Sequence, residues 1–312
     1  MLISIIIVNY NTGTILKQCI DSIFEFEDPS EYEIIIVDNY SNDGPRAYID
    51  VLLQKYKNIK CIYLDRTESF SHANNMGISQ AQGDYILIMN PDIIFVEHVF
   101  HRLTALLEED KSIGAVCPAL LGKDGKFQNN YFRRYPSLTQ YLFFYTFTAK
   151  LFERNRQLTN QYLRNEIIDI NTNKVYKVEQ IPCAFFLTYK QLIIDIGLMD
   201  ENFVLFFEDV DLSYRIHKRF QLLLDTRIKV THLGGMSFGK EYKTLMYGRF
   251  LISMNYFFKK HYGKLRQFLL KAFSEVNSSA VITFEYIKKI FNISNDTRLE
   301  KHKIYLKLLR NT

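Results

Sequence analysis

An α/β fold built on a parallel sheet is the class this chain predicts, and three observations predict it. Four apolar runs of strand length, "ISIIIVNY", "EIIIVDN", "IKCIYL" and "YILIMN", are rich in Ile and other strand formers. Segments of helical periodicity alternate with them, among them Ile15 to Phe26 and Ala47 to Tyr56, as crossover helices on both faces of such a sheet require. Polar residues gather just past the carboxyl ends of three of the runs, where open α/β sheets bind their ligands.

The first run ends in Asn9, Tyr10, Asn11 and Thr12. Its turn has neither a G-x-G-x-x-G nor a G-x-x-x-x-G-K pattern, which argues against a dinucleotide fold of the usual kind and against a P-loop. The second run ends in Asp38, Asn39, Ser41, Asn42 and Asp43, ordinary turn formers taken singly. The fourth closes "GDYILIMNPDIIF", where Asn90, Pro91 and Asp92 interrupt an apolar stretch. A carboxylate at the end of a buried strand needs a partner or solvent, so Asp92 marks a polar site at the same sheet edge as the other two clusters.

Further along, "FFEDVDLSYR" sets Glu208, Asp209 and Asp211 behind an aromatic run. Asp211 and Arg215 are spaced to pair across one helical turn. Acids in a first turn also suit the helix dipole, but that does not account for the apolar residues before them. His232, in "VTHLGG", follows a β-like run and precedes two glycines that permit close backbone approach.

Length and composition bound the rest. The 312 residues, 47% hydrophobic, suffice for one large domain or a domain with an appendage. No basic-apolar-small cleavage pattern opens the chain, and its longest apolar candidate, Ser137 to Ala149, is short of a membrane span. That aromatic stretch reads equally as a packed helix, a lid or a surface for an acceptor or membrane. Four scattered cysteines show no zinc or disulfide spacing, and the expectation is reduced thiols in a cytoplasmic protein. The net charge of +5 is uneven: residues 251–312 carry +8 and the first 250 carry −3. A site set in the acidic part argues against a nucleic-acid enzyme. In the tail, Phe258, Tyr262, Leu265, Leu269, Ala272 and Val276 recur at helical spacing, with lysines largely elsewhere on the wheel. Such a basic amphipathic helix suits either an anionic membrane surface or packing on the rest of the protein.

Taken in order, "SIIIVNYN", "IIIVDNYSNDG", "HANNMGISQAQGDYILIMNPD", "GLMDENFVLFFEDVDLSYR" and "THLGGMSFG" resemble the motifs of the inverting glycosyltransferases of family two, over about Ile3 to Phe258. The resemblance implies the GT-A fold, a Rossmann-like mixed sheet flanked by helices, here with a helical C-terminal extension. It implies domains at 1–250 (a nucleotide-sugar half, 1–95, and an acceptor half, 96–250) and 251–312. It implies a nucleotide-diphosphate sugar donor contacted by Asn9, Tyr10, Asn11, Asp38, Asn39, Asn75, Gly77 and Asn90. A divalent cation, Mg or Mn, would sit on Asp92 with His232 as a second candidate ligand. Asp209 is the expected base for the acceptor hydroxyl, with Glu208 next and Asp211 in support.

"NNYFRRYPSLTQY" resembles a segment of the rhamnosyltransferase-like branch, as does Asn90 in place of the acid of the usual Asp-x-Asp. Arg133 and Arg134 are its candidate phosphate or acceptor contacts, with Asp211 as a third candidate for that role. "PCAFFLTYK" departs from the Gly-Ala often found at that place. The implied function is transfer of rhamnose from dTDP-rhamnose to a saccharide acceptor, lipid-linked in one version, at the inner face of the cytoplasmic membrane in bacterial surface polysaccharide synthesis. The alternatives are a UDP-sugar donor (galactose, glucose or an N-acetylhexosamine) or a non-catalytic carbohydrate-binding protein of the same fold. A nucleotidyltransferase would carry a Gly- and Arg-rich loop after the first strand, and "VNYNTGTILKQ" has none.

Overall fold

The computed structural model describes residues 2–42, 44–132, 134–146, 149–152, 155, 157–159, 168–203, 205–234 and 240–310. Its first half alternates β1 (Ile3–Asn9), α1 (Gly13–Phe26), β2 (Tyr32–Asp38), α2 (Pro45–Lys55), β3 (Ile59–Tyr63), α3 (Phe70–Gln80) and β4 (Tyr85–Met89). There follow β5 (Ile93–Phe95), α4 (Phe100–Glu109), β6 (Ile113–Leu121), α5 (Leu138–Phe144), β7 (Val175–Val178), β8 (Phe185–Tyr189) and α6 (Lys190–Asp195). The remainder is α7 (Glu208–His217), β9 (Gln221–His232), α8 (Lys240–Tyr262), α9 (Lys264–Ile290) and α10 (Asp296–Leu309).

The strands form one nine-stranded sheet in the order β3-β2-β1-β4-β8-β6-β9-β5, with β7 also paired to β9. Parallel pairing holds through β3, β2, β1 and β4, whose side chains are buried on both faces in β1, β2 and β4. Sequence alternation alone implied a parallel sheet; β8 instead enters antiparallel between β4 and β6, so the sheet is mixed. The parallel register sets Asn9 opposite Asp38 and carries β4 to the same carboxyl edge. Antiparallel pairing of β5 with β9 sets Ile93 opposite His232, which brings Asp92 beside the end of β9.

Gly83 shows how tightly β4 is entered. It donates its N–H to Ser4 Oγ at 2.8 Å, and a Cβ there would fall 2.4 Å from the Leu2 carbonyl oxygen. Backbone cannot yield as a side-chain tip can, so Gly83→Ala is expected to cost about 1–3 kcal/mol. Thermal unfolding checks this, and an unchanged midpoint contradicts it.

By contacts the chain separates into two units: 1–133, 167–202 and 208–237, which hold the sheet, and 134–166, 203–207 and 238–312. The boundary expected at 250 falls within α8. In the second unit Ser137 caps α5, accepting from Gln140 N at 3.0 Å, and Tyr141 and Phe144 are buried, so this part of the aromatic stretch is a packed helix. The apolar stripe expected to run unbroken from Phe258 to Val276 is interrupted, because Gly263 at φ 86° ends α8 and restarts the chain as α9. Phe258 is buried while Leu265 is 72% exposed. No described helix is long and apolar enough to cross a membrane. The four cysteines are free thiols.

Candidate active site

Three groups of polar side chains belong to the first unit, two at strand ends of the sheet and one at the start of α7. The first is the pair of loops after β1 and β2. Asn9 Nδ2 donates to Asp38 Oδ1 at 2.7 Å, and Ser41 Oγ donates to the same oxygen at 2.7 Å. Thr12 Oγ1 donates to Asn9 Oδ1, closing a buried chain of polar groups. Asn11, at φ 53°, accepts from Asn42 N at 2.8 Å through its side-chain oxygen. Asn39 is tied on both sides to the backbone of Glu68. Tyr10 stands exposed beside them. Asp38 is therefore the knot that holds both loops.

The second group surrounds Asp92. Its backbone carbonyl accepts from Leu233 N at 3.0 Å and its Oδ2 from Gly234 N at 3.0 Å. Its Oδ1 lies 3.4 Å from His232 Nε2. Gln128 decides what that nitrogen offers. Gln128 Nε2 donates to the His232 carbonyl at 2.9 Å, which turns its Oε1 to His232 Nδ1 at 2.7 Å. The neutral ring then carries its proton on Nδ1 and points the Nε2 lone pair at a carboxylate oxygen.

Two facing acceptors call for something positive between them, a proton or a cation. A nitrogen and an oxygen at this spacing suit a borderline ion such as manganese better than an all-oxygen calcium cage. Among the described residues no cluster of three or more His, Cys, Asp or Glu side chains could hold a metal ion. A cation here would depend on a ligand's oxygens and water for its remaining coordination. Asn90, half-buried directly after β4, donates its backbone N–H to the Ala184 carbonyl.

The third group opens α7. Phe206 and Phe207, which precede it in the chain and belong to the second unit, hold φ of 65° and 69°, a left-handed pair that costs about 1–2 kcal/mol per residue. Glu208 is buried, and its Oε2 has no hydrogen-bond partner among the described residues. Burial pushes its carboxyl well up from the ordinary range, and the neighbouring Asp209 charge pushes it further. Burial also raises Asp209, opposed by the N–H of Val210, which donates to it at 2.8 Å. Of the pair, Asp209 therefore ionises first while Glu208 keeps its proton.

Ionising Glu208 disfavours the fold. Its stabilising contribution is complete below the ordinary glutamate value of 4.5 and is lost as pH rises through the raised value. Glu208→Gln should thus unfold at a higher temperature than the wild type at alkaline pH and converge with it near pH 4. A constant difference across that range counts against the buried-acid account.

Tyr131 links the second and third groups. Burial raises its phenol first, then the charges of Asp92 and Asp209, so it lies within electrostatic reach of both. Its ring packs edge-on to His232, centroids 5.4 Å apart. Cys183 adjoins the same acids, its thiol raised by burial and then by Asp209 and Glu208. Ser213 of α7 accepts from the Ile181 N–H at 3.0 Å and anchors this segment.

Other expected residues serve as supports. Asn75 brackets Met199, donating to its carbonyl at 2.9 Å and accepting its N–H at 3.1 Å, and donates to Glu201 at 2.8 Å. Asp211 pairs with Arg215 at 2.8 Å, and the guanidinium also donates to the carbonyls of Ile196 and Leu198. A Cβ on Gly77 would meet Ile6 at 2.5 Å, so this glycine lets α3 lie close on β1. Arg134 is exposed and belongs to the second unit, and Arg133 lies outside the described residues. Gln128 and Tyr131 were not singled out from sequence; Tyr131 sits in the noted "NNYFRRYPSLTQY", while Gln128 has no local signal.

Comparison with known proteins finds that residues 4–181 match the model of glycosyl transferase family 2. Glycosyltransferase GlyG of Streptococcus pneumoniae serotype 4 is 32% identical over 108 residues, 35% of this chain and 36% of that protein. Poly(ribitol-phosphate) beta-glucosyltransferase of Bacillus spizizenii is 34% identical over 96 residues, 30% of this chain and 15% of that protein. The matches thus span well under half of these relatives' length. Among solved structures, GalNAc-T7, crystallised with UDP, GalNAc and Mn2+, superposes with a TM-score of 0.57 at 15% identity, over 80% of this chain and 50% of that one. At that identity the likeness concerns the fold.

Proposed function

The chain belongs to glycosyl transferase family 2, and from that premise we propose that it moves a sugar from a nucleotide-diphosphate donor to a saccharide hydroxyl with inversion, in bacterial surface polysaccharide synthesis. The observation that carries this reading is the Asp92–His232 pair at the sheet edge, Oδ1 3.4 Å from Nε2, with Gln128 turning the ring and Tyr131 packed edge-on against it, in the same unit as the acids that open α7. Donor-side and acceptor-side chemistry can then meet at one place.

In this mechanism the loops after β1 and β2, knotted at Asp38, receive the nucleotide, with Asn9, Tyr10, Asn11, Asn39 and Asn90 around it. Asp92 and His232 would hold a divalent cation, Mg or Mn, which when bound supplies positive charge against the diphosphate. Asp209 takes the proton from the attacking hydroxyl. Its raised pKa makes it a stronger base than an exposed carboxylate, and it remains the ionised member of its pair. Glu208, holding its proton, keeps a second negative charge out of the site. Asp211 and Arg215 position α7, and Asn75 positions the 199–201 loop. Arg133 and Arg134 are proposed as phosphate or acceptor contacts.

The donor we take first is dTDP-rhamnose, because Asn90-Pro91-Asp92 resembles the rhamnosyltransferase branch. A UDP-sugar is the second reading, favoured by the fold neighbour crystallised with UDP and by the glucosyltransferase relative. The acceptor is proposed to be lipid-linked, and the protein to work at the inner face of the cytoplasmic membrane through its basic C-terminal part. A screen of nucleotide sugars with purified protein, reading nucleotide diphosphate release with and without EDTA, tests the proposal. EDTA-sensitive release from one donor supports it. No release and no donor binding, even with an acceptor extract, favours a non-catalytic carbohydrate-binding protein.

A further inference from the structure

The 27-residue helix α9 has its faces reversed. Its buried side presents Leu270, Ser274, Asn277, Ser278, Val281 and Glu285, four of them polar. These find partners inside the second unit: Ser274 with the Tyr305 hydroxyl, Ser278 with His302 Nδ1 at 2.9 Å, and Glu285, which accepts from Asn295 N at 2.8 Å. The opposite side is mostly apolar and open, with the small hydroxyl side chains of Ser279 and Thr283 exposed midway along it. Leu265 is 72% exposed, Phe268 65%, Val276 69%, Ile287 49% and Ile290 77%. At 100° per residue these five fall within about a third of the wheel, a stripe on the order of 40 Å long.

A helix facing water puts its polar residues outward, and an apolar stripe of this length, interrupted only by two hydroxyl side chains, marks a contact surface. Charge says what the contact is. Lys264, Arg266, Lys271 and Lys289 border the stripe, against one outward acid, Glu275. A second copy of the chain would bring the same positive charge to the contact, whereas anionic headgroups neutralise it. The helix is also not apolar enough to cross a bilayer, which leaves the interfacial plane.

We propose that the outward face of α9 docks on an anionic lipid bilayer, with Leu265, Phe268, Val276, Ile287 and Ile290 in the acyl boundary and the bordering cations at the headgroups. This deepens the membrane part of the proposed function and rests on it.

The test is co-sedimentation of the full chain with vesicles of phosphatidylglycerol and phosphatidylcholine, or of phosphatidylcholine alone, with donor turnover measured on the same samples. Binding is expected to the anionic vesicles and to fall at least about tenfold in half-molar salt or on pure phosphatidylcholine. The double variant Phe268→Asp, Ile290→Asp should lose at least about tenfold in binding while its circular dichroism and donor turnover stay as in the wild type. No binding to anionic vesicles, equal binding to both lipids, or full binding by a folded double variant overturns the proposal. A lipid-free dimer that the double variant dissolves assigns the face to a second copy and also overturns it. Donor turnover without vesicle binding removes this surface and leaves the transferase reading standing, whereas vesicle binding without any turnover does the reverse.

Discussion

Asp209→Asn is expected to lower sugar transfer by about 10²–10⁴-fold while donor affinity stays within about twofold of the wild type. The amide has nearly the shape of the carboxylate and can still accept from Val210 N, so the start of α7 should keep its path. What it lacks is a lone pair basic enough to take a proton. The pH profile supplies a second reading of the same residue. A base works only when deprotonated, and burial raises Asp209 above the ordinary 3.8, so wild-type activity should climb along an acid limb whose midpoint lies well above that value. Residual activity in the variant should lack that limb. Turnover near the wild-type level would remove Asp209 from the role of base.

Asp92→Ala carries the second largest expectation, a fall of at least about 10²-fold in turnover with loss of the response to added manganese. Two consequences combine. The variant deletes the oxygen facing His232 Nε2, and it leaves Gly234 N without the acceptor it has at 3.0 Å. Isothermal titration of the nucleotide diphosphate with and without manganese separates them: loss of only the manganese-dependent part of the affinity assigns the defect to the cation. An equal loss under both conditions would point to a collapsed loop. Undiminished, manganese-stimulated turnover would contradict the role given to Asp92.

The parts of the molecule legible in the sequence are those whose cause is local. Short Ile-rich runs bounded by turn residues favour strands buried on both faces, and β1, β2 and β4 are such strands. Asp92 stood out because a carboxylate ends such a run, and the pairing of Asp211 with Arg215 comes from spacing along one helix. The rest depends on pairings between distant segments. Gln128, which sets the proton on His232, is 104 residues away from it and reaches it only because the turn after β6 returns past the end of β9.

Asn75 looks like a ligand residue in its motif, yet its amide is engaged with Met199 and Glu201, more than 120 residues on. Periodicity from Phe258 to Val276 was real, but a period cannot report that Gly263 breaks the helix and rotates α9 relative to α8. Hence Phe258 points inward and Leu265 outward. The reversed faces of α9 were hidden for the same reason, since hydropathy shows which side is apolar and only the packing shows which side is covered.

The central claim is a single displacement assisted by one carboxylate base. The measurement that tests it most directly is the anomeric configuration of the product, read by proton NMR from a reaction with the donor that the screen identifies. The account predicts a linkage inverted relative to the donor's anomeric bond, formed by the wild type and lost in Asp209→Asn. Retention of the donor's configuration would contradict it, because the acceptor would then not have attacked from the face opposite the departing diphosphate.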